Sequence, residues 1–304
     1  MKKLFIPFLL LFVLILSACG NNEKTNENKE TKSKAETVTY ESETGPVKVP
    51  ANPKRIIALS NGPNVLALDG NVVGIDQWTN MNPLFTDRLK GVEVVSEDNL
   101  EKIIELEPDL IIAGSEMKNI KKLNEIAPTV VFTWGKLDYL SQQVEIGKLL
   151  NKEKEAKDWV TDFKERSESA GEKIRAKIGE DATVSVIEND AKEFYVFGNN
   201  FARGTEILYQ AMKLNMPEKV KEKALKPGIY TLSSEVLPEY TGDYIIFSKN
   251  PDVENSFVGT ESWKNIPAVK NDHIFEINSK ASTYSDPITL DHLLEFFEKS
   301  FLNS

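Results

Sequence analysis

The stretch that decides the fold spans residues 152–179 and reads KEKEAKDWVTDFKERSESAGEKIRAKIG. It lacks proline and is dense in Ala, Glu, Lys and Arg, which are strong helix formers. Its apolar residues follow one narrow helical stripe: Ala156, Trp159, Val160, Phe163, Ala170, Ile174 and Ile178. This pattern predicts one helix roughly 40 Å long, capped by Gly179. So polar a helix lies on a surface, either as a rigid connection between two lobes or as an ordinary helix of one domain.

A similar phrase occurs on each side of this helix. Residues 99–114 read NLEKIIELEPDLIIAG, and residues 233–248 read SSEVLPEYTGDYIIFS. Each phrase predicts a short helix followed by a buried strand. The alignment matches Glu101 with Glu235 and Asp109 with Asp243. This repeat favours two similar lobes, although chance similarity between two short segments remains an alternative.

The alternation of strand and helix patterns in each half predicts two α/β lobes with mostly parallel sheets, joined by one long rigid helix. A ligand cleft is expected between the lobes, outside the carboxyl ends of the strands. The predicted organisation is a signal peptide at 1–18, a lipidated cysteine and flexible tether at 19–36, an N-terminal lobe at 37–151 (N-lobe), the connecting helix at 152–179, and a C-terminal lobe at 180–304 (C-lobe).

The N-terminus predicts export and anchoring. Lys2 and Lys3 precede an apolar run at 4–16 that is too short to span a membrane, and small residues then precede Cys19, the one cysteine of the chain. The pattern resembles a bacterial lipobox, with cleavage before Cys19 and lipid attached to it; an ordinary secretory signal is the alternative. Residues 20–36 lack large apolar groups, which predicts a flexible tether on the extracellular face of the cell membrane.

The composition excludes several functions. A formal net charge of −10 argues against nucleic acid as a partner. One cysteine and two histidines argue against a disulfide framework and against a Cys/His metal site. A surface hydrolase is the alternative from another class, but the chain has no G-x-S-x-G elbow, and neither His273 nor His292 lies in a sequence context that suggests a triad. We therefore expect a protein that is not an enzyme and holds no cofactor or metal of its own.

The order of several sequence segments along the chain is similar to that of a known family: PANPKRII, NLEKIIELEPDLII, IKKLNEIAPTVVF, YVFGNNFARGTEILYQ, WKNIPAVKNDHIF and YSDPITLD. From about Thr37 onwards the chain resembles iron-siderophore-binding lipoproteins, in particular the ferric-hydroxamate-binding proteins of Gram-positive bacteria. The resemblance implies a monomeric substrate-binding protein that passes ferric siderophore to an ABC permease with its ATPase, with only slight closure of the lobes. Iron would enter only as ferric siderophore, because the siderophore supplies the iron ligands.

The segment 195–204, YVFGNNFARG, supplies aromatic side chains and one arginine between a predicted strand and a predicted helix. The resemblance assigns Arg203 to hydrogen bonds with the iron-bound oxygens, and Tyr195 and Phe201 to the pocket wall. An arginine offers several fixed donors and a permanent charge. The alternatives are a surface cation for Arg203 and a core position for Phe201.

Other strand ends supply the remaining candidates. Trp134 follows the predicted strand TVVFT as a cleft aromatic or, alternatively, as a packed core residue. Trp78 and Asn61 lie on other strand-end loops, and Tyr284 matches a binding-loop position of the family. With Arg203 as the one cation placed in the cleft, hydroxamate complexes are favoured over catecholates, and mixed citrate-hydroxamate complexes remain open.

Glu101 and Glu235 are candidates for docking to the permease. Both are predicted in the first turn of a helix, where a carboxylate complements the helix dipole, and that local effect is sufficient to explain either one. The resemblance implies instead that each lobe offers one carboxylate to an arginine pocket of the permease.

Overall fold

The computed structural model describes residues 36–190 and 193–303. Residues Ala35–Ser304 form one compact unit. The predicted signal peptide, Cys19 and all but the last residue of the predicted tether lie outside the described residues. None of the helices described is long and apolar enough to cross a membrane.

The N-lobe begins with an antiparallel hairpin of β1 (Thr37–Ser42) and β2 (Gly45–Pro50). Its other strands are β3 (Ile56–Ala58), β4 (Val72–Ile75), β5 (Glu93–Val94), β6 (Leu110–Gly114) and β7 (Thr129–Phe132). They form a parallel sheet in the order β5-β4-β3-β6-β7. The helices are α1 (Gly62–Ala67), α2 (Gln77–Met81), α3 (Leu100–Glu105), α4 (Ile120–Ile126) and α5 (Tyr139–Leu149), with a 3₁₀ turn at Pro83–Phe85.

The C-lobe follows the long helix α6 (Glu153–Ile178). Its strands are β8 (Val184–Asn189), β9 (Phe194–Phe197), β10 (Ile229–Leu232), β11 (Tyr244–Lys249) and β12 (Ile274–Asn278), in the order β10-β9-β8-β11-β12. Its helices are α7 (Glu218–Ala224), α8 (Glu261–Lys264), α9 (Pro267–Lys270) and α10 (Pro287–Asn303), with a π-helix at Glu206–Ala211 and 3₁₀ turns at Leu237–Tyr240, Ser256–Gly259 and Lys280–Ser282. Strand β9 runs antiparallel to both of its neighbours, β8 and β10. The connection from β8 to β9 is too short for a parallel crossover.

Helix α6 is locked to both lobes. It packs on α5 in the N-lobe and on α10 and the π-helix in the C-lobe. A β-carbon at Gly147 of α5 would lie 2.6 Å from the Ala156 Cβ of α6, and one at Gly171 of α6 would lie 2.4 Å from the Met212 carbonyl oxygen. The backbones approach too closely for larger residues, so α6 is a rigid connection between the lobes rather than a surface helix of one domain.

The predicted repeat is present in the hydrogen bonds. The Asp109 carboxylate accepts the Lys54 backbone N–H at 2.7 Å before β3, and the Asp243 carboxylate accepts the Thr183 backbone N–H at 2.8 Å before β8. Each aspartate immediately precedes the next parallel strand, β6 or β11. The same anchor therefore joins two adjacent parallel strands in each lobe, β3 with β6 and β8 with β11.

Two predictions of local structure are wrong. Glu101 lies in the first turn of α3, whereas Glu235 lies in the turn before the 3₁₀ helix Leu237–Tyr240. Pro238 has no N–H to donate to residue 234, so an α-helical turn cannot form there. Trp78, expected on a strand-end loop, lies instead in α2, because the Asp76 side chain caps that helix by accepting the Thr79 N–H.

Candidate functional site

A cavity of about 580 Å³ lies between the two lobes. Five of the predicted site residues line it: Asn61, Trp134, Phe201, Arg203 and Tyr284. The N-lobe residues follow the carboxyl ends of β3 and β7, and the C-lobe residues come from the loops before the π-helix and before α10. The structure thus brings these five side chains together from distant parts of the chain.

Arg203 is held by a two-bond ion pair. Its Nε and Nη2 atoms donate to the two carboxylate oxygens of Glu188, each at 3.0 Å. The Ser248 hydroxyl donates to the same carboxylate at 2.6 Å, and the guanidinium carbon lies 5.1 Å from the Phe197 ring centroid. The pair fixes the plane of the guanidinium and leaves Nη1 outside it. Arg203 is therefore oriented before any ligand arrives.

The backbone that carries Arg203 is strained and firmly held. Ala202 and Arg203 have φ values of 57° and 55°, in the left-handed region that costs non-glycine residues roughly 1 kcal/mol each. The Arg203 N–H donates to the Ser282 carbonyl at 2.7 Å. The Phe201 N–H donates to the Thr205 hydroxyl, and the Ala202 N–H to the Glu206 carboxylate, each at 3.0 Å. These bonds hold the loop in the strained conformation.

Glu206 is a cavity residue that the sequence analysis does not single out. Its side chain is almost completely buried at the base of the Arg203 loop. Burial raises the pKa of the Glu206 carboxyl, although hydrogen bonds from the Ala202 N–H and from the Ser285 and Thr205 hydroxyls oppose that shift. An acidic residue two positions after an Arg-Gly pair is the local signal that points to it.

An aromatic contact joins the lobes across the cavity. The Trp134 and Phe201 rings meet edge to face with centroids 5.8 Å apart. Trp134 is 78% exposed, which excludes the packed-core alternative for this residue. Phe201 is half-buried and also stacks on Phe197 at 5.8 Å, so it belongs both to the cavity wall and to the edge of the C-lobe core.

Tyr284 connects the C-lobe to the N-lobe beside the cavity. Its hydroxyl lies 3.1 Å from the Thr79 hydroxyl, and its ring packs against Phe85 at a centroid distance of 6.2 Å. Burial, and then the charge of Asp76, raise the pKa of the Tyr284 hydroxyl. The phenol is therefore neutral and available as a hydrogen-bonding group at the cavity wall.

Two predicted site residues are not among the described residues that line the cavity. Tyr195 lies near the amino end of β9, and its hydroxyl donates to the Asp190 carboxylate at 2.6 Å, which raises the pKa of Tyr195 to about 12. Trp78 lies on α2 and is 72% exposed. A binding role for either residue stays a prediction.

The loop that carries Trp134 is braced by the N-terminal hairpin. Glu43, in the turn between β1 and β2, forms an ion pair with Lys136 at 3.2 Å. Burial alone would raise the pKa of Glu43, yet hydrogen bonds from Thr133 and the Lys136 ammonium hold that pKa below its usual value. Because Thr133 and Lys136 flank Trp134, this turn positions the tryptophan.

The two predicted docking glutamates lie on the surface. Glu101 and Glu235 are both exposed, and neither has a hydrogen bond or ion pair with any other residue that the structure describes. Their carboxylates are accessible to a partner.

The chemistry of the cavity suits binding rather than metal ligation. In the described part of the chain, no group of three or more His, Cys, Asp or Glu side chains is placed to hold a metal ion. The aromatic or apolar side chains of the wall include Phe132, Trp134, Tyr139, Phe201 and Tyr284. Such a wall, with one oriented guanidinium, fits a bulky ligand that presents oxygen acceptors.

Comparison with known proteins agrees with this assessment. The family model described as "Periplasmic binding protein" matches residues 62–281. The iron(3+)-hydroxamate-binding protein FhuD of Bacillus subtilis (strain 168) is 36% identical over 308 residues, covering 98% of each chain. The iron(3+)-hydroxamate-binding protein YxeB of the same organism is 37% identical over 303 residues, covering 95% of this chain and 94% of YxeB.

A solved structure is also similar. FhuD2 of Staphylococcus aureus with bound ferrioxamine B superposes with a TM-score of 0.78 at 33% identity, over 83% of this chain and 99% of FhuD2. The likeness confirms the prediction of two lobes and a long helix, and the family consists of substrate-binding proteins, as the prediction of a non-enzyme requires. The chain belongs to the periplasmic binding protein family.

Proposed function

We propose that this protein captures a ferric siderophore of the hydroxamate class between its lobes and delivers it to an ABC permease for iron uptake. The observation that carries the proposal is the cavity itself, where aromatic walls surround a guanidinium that Glu188 has already oriented. FhuD and YxeB are named as iron(3+)-hydroxamate-binding proteins and FhuD2 holds ferrioxamine B, which points to the same class of ligand.

The chemistry of a ferric trihydroxamate matches the cavity. The siderophore supplies all the iron ligands, so the protein needs donors for polarised oxygens rather than a carboxylate cage. Arg203 supplies a permanent charge with a donor outside its ion pair, and the aromatic residues supply apolar area. A volume of about 580 Å³ falls within the usual range for small-molecule sites.

The charge of the cavity opposes strongly anionic ligands. In the part of the chain that the structure describes, its charged lining consists of Arg203, Glu116 and Glu206, and the Arg203 charge is already matched by Glu188. A ferric catecholate carries about three negative charges and needs several unpaired cations around it. Citrate-hydroxamate and catecholate complexes are therefore the alternatives to be tested, and hydroxamates are expected to bind more tightly.

Anchoring and docking complete the proposal. Cys19 carries the lipid, and residues 20–36 tether the folded part of the protein to the extracellular face of the membrane. The protein acts as a monomer. Glu101 and Glu235 dock onto the permease, which works with its ATPase. The exposure of both carboxylates at matched positions of the repeat supports this assignment.

A titration with four ligand classes tests the function. Trp134 is exposed on the cavity wall, so its fluorescence should be quenched saturably by a ferric hydroxamate. Ferric catecholate, ferric citrate and haem should bind weakly. Saturable binding of catecholate or citrate alone would keep the receptor but refute the hydroxamate class, and no binding of any of the four would refute the proposal.

The docking assignment has its own test. Glu101→Ala combined with Glu235→Ala should leave siderophore affinity unchanged and reduce uptake by cells, because both carboxylates lie away from the cavity lining. Glu125→Ala, an exposed glutamate of α4, is the matched control. Normal uptake by the double variant would show that the two glutamates do not dock the permease.

A further inference from the structure

One carboxylate on the cavity wall has no role in the function proposed above. Glu116 lies two residues beyond the end of β6, is exposed, and lines the cavity. Among residues 36–190 and 193–303 it makes no hydrogen bond and no ion pair. Its carboxylate folds back over Gly114, where a β-carbon would lie 2.1 Å from Oε1. The glycine makes room for the acid at the strand end.

Glu116 carries the surplus charge of the wall. The other two charged residues of the lining are Arg203 and Glu206. Arg203 is neutralised by Glu188 at 3.0 Å. Glu206 is only 3% exposed, and burial disfavours its charged form. Among the described lining residues, the net charge is therefore negative and is centred on Glu116.

An exposed aromatic residue, Trp134, leaves the neighbouring strand at the position equivalent to that of Glu116. Gly114 of β6 pairs with Phe132 of β7, and the Ser115 N–H donates to the Phe132 carbonyl at 3.0 Å. Glu116 and Trp134 each follow these paired positions by two residues, at the same edge of the parallel sheet. A carboxylate and an exposed indole that line the same cavity from one sheet edge suit an organic ammonium group, which gains from both the charge and the ring face.

We propose that Glu116 recognises a positively charged group at the periphery of the siderophore, so that the cavity selects ferric trihydroxamates that bear a protonated amine. The inference rests on the proposed function and narrows its substrate class. The iron–trihydroxamate core is uncharged, because three hydroxamate anions balance Fe³⁺. A peripheral ammonium is then the net charge on which the Glu116 field acts.

The test uses three ferric trihydroxamates that share one backbone. The first ends in a primary amine, the second is N-acetylated and neutral, and the third is N-succinylated and anionic. The purified protein should bind them in that order at neutral pH, with about three- to tenfold between the amine and the acetylated form, as expected for a partly exposed charge pair. The preference should shrink as the ionic strength rises.

Two variants locate the effect. Glu116→Gln should bind the three ligands with equal affinity, and the exposed Glu125→Gln should keep the wild-type order. Equal binding by the wild-type protein, or an unchanged preference in Glu116→Gln, would overturn this inference and leave the proposed function standing. Failure to bind any of the three ligands would contradict the proposed function and this inference with it.

Discussion

The two lobes share a frame and differ in how they present the cavity. In both, an aspartate before one strand anchors the segment before its parallel neighbour in the sheet, through Asp109 (β6 to β3) in the N-lobe and Asp243 (β11 to β8) in the C-lobe. The N-lobe presents Trp134 and Glu116 from loops that leave parallel strands, and both side chains are exposed. The C-lobe presents Arg203 from a strained loop that is hydrogen-bonded on several sides. The aspartate anchor therefore occurs in both lobes, whereas the side chains that line the cavity differ between them.

Because of this difference, we expect the two lobes to play different parts in ligand binding. The Arg203 guanidinium is fixed by Glu188, and Glu188 is fixed in turn by Ser248. We therefore propose that the rigid C-lobe half sets the orientation of the ligand, while the exposed N-lobe half contributes contact area and distinguishes ligands by their peripheral charge.

The largest expected effect concerns two helix-capping aspartates, one in each lobe. Asp286 caps α10 and is buried, and burial raises its pKa to about 6. The folded protein then holds this proton more tightly than the unfolded chain does. The associated stability is present below the unfolded pKa and is lost as pH rises through 6, by about 3 kcal/mol for a shift of this size. Asp286→Asn should remove that loss in denaturation curves measured from pH 4 to 8.

Asp138, which caps α5 in the N-lobe, should behave in the opposite sense. Burial alone would raise its pKa, but hydrogen bonds from Ser141 and Leu140 lower the pKa below its usual value. Its contribution to stability is present above the unfolded pKa and is lost as pH falls. Asp138→Asn should therefore weaken the protein mainly at neutral pH. The same pH trend in both variants would contradict the assignment.

Replacing Arg203 should give the next largest effect. Arg203→Ala removes the oriented donor and leaves Glu188 without its cation, so affinity for a ferric trihydroxamate should fall by about ten- to a hundredfold. Arg203→Lys should recover little of that loss, because an ammonium cannot reproduce the planar pair. Arg88→Ala, an exposed arginine of the N-lobe, is the control. Unchanged affinity in Arg203→Ala would remove Arg203 from the site.

A change at Glu188 tests whether the C-lobe half is kept neutral. Glu188→Gln retains the shape of the side chain but unpairs the Arg203 charge. The affinity ratio of a ferric catecholate to a ferric trihydroxamate should rise by about tenfold, equivalent to roughly 1.4 kcal/mol. Ser248→Ala removes one hydrogen bond to Glu188 without changing a charge and serves as the comparison. A ratio that stays constant in Glu188→Gln would show that the ion pair has no part in selectivity.

The smallest effect is expected in the N-lobe. Trp134→Ala removes the ring contact with Phe201 and should weaken binding by about fivefold, in the range of a single aromatic pair with some lost area. Trp134→Phe should restore most of the affinity. Calorimetry is the suitable measurement, because both variants lose the fluorescent reporter. A loss as large as that of Arg203→Ala would contradict the proposed division between the lobes.

Much of the fold could be predicted because its signals are local. The helix expected at 152–179 is observed at Glu153–Ile178, since its stripe of apolar residues and its terminal glycine need no knowledge of the rest of the chain. The repeat was visible because each copy spans only one helix–strand unit. The segment around Pro238 departed from its partner because one proline replaced an α-helical turn by a 3₁₀ turn.

The supporting residues of the site could not be found in this way. Glu188 contacts Arg203 from a strand 15 residues earlier, and Glu43 contacts the Trp134 loop from a distant turn; no spacing in the sequence marks such pairs. The motif predicts Tyr195 as a site residue, and the structure places it near the amino end of β9. The cavity-lining residues Phe201 and Arg203 instead follow the carboxyl end of that strand. Which side chains face a cavity depends on strand direction, and the antiparallel course of β9 had no clear signal in the sequence.

We expect iron to enter the interlobe cavity with all its ligands supplied by the siderophore. A crystal structure with a ferric trihydroxamate, with the iron located by anomalous scattering, tests this most directly. Iron is expected between Trp134 and Arg203, with the guanidinium donating hydrogen bonds to iron-bound oxygens. No protein atom is expected to bind the metal. Iron outside the cavity, or a protein carboxylate among its ligands, would contradict it.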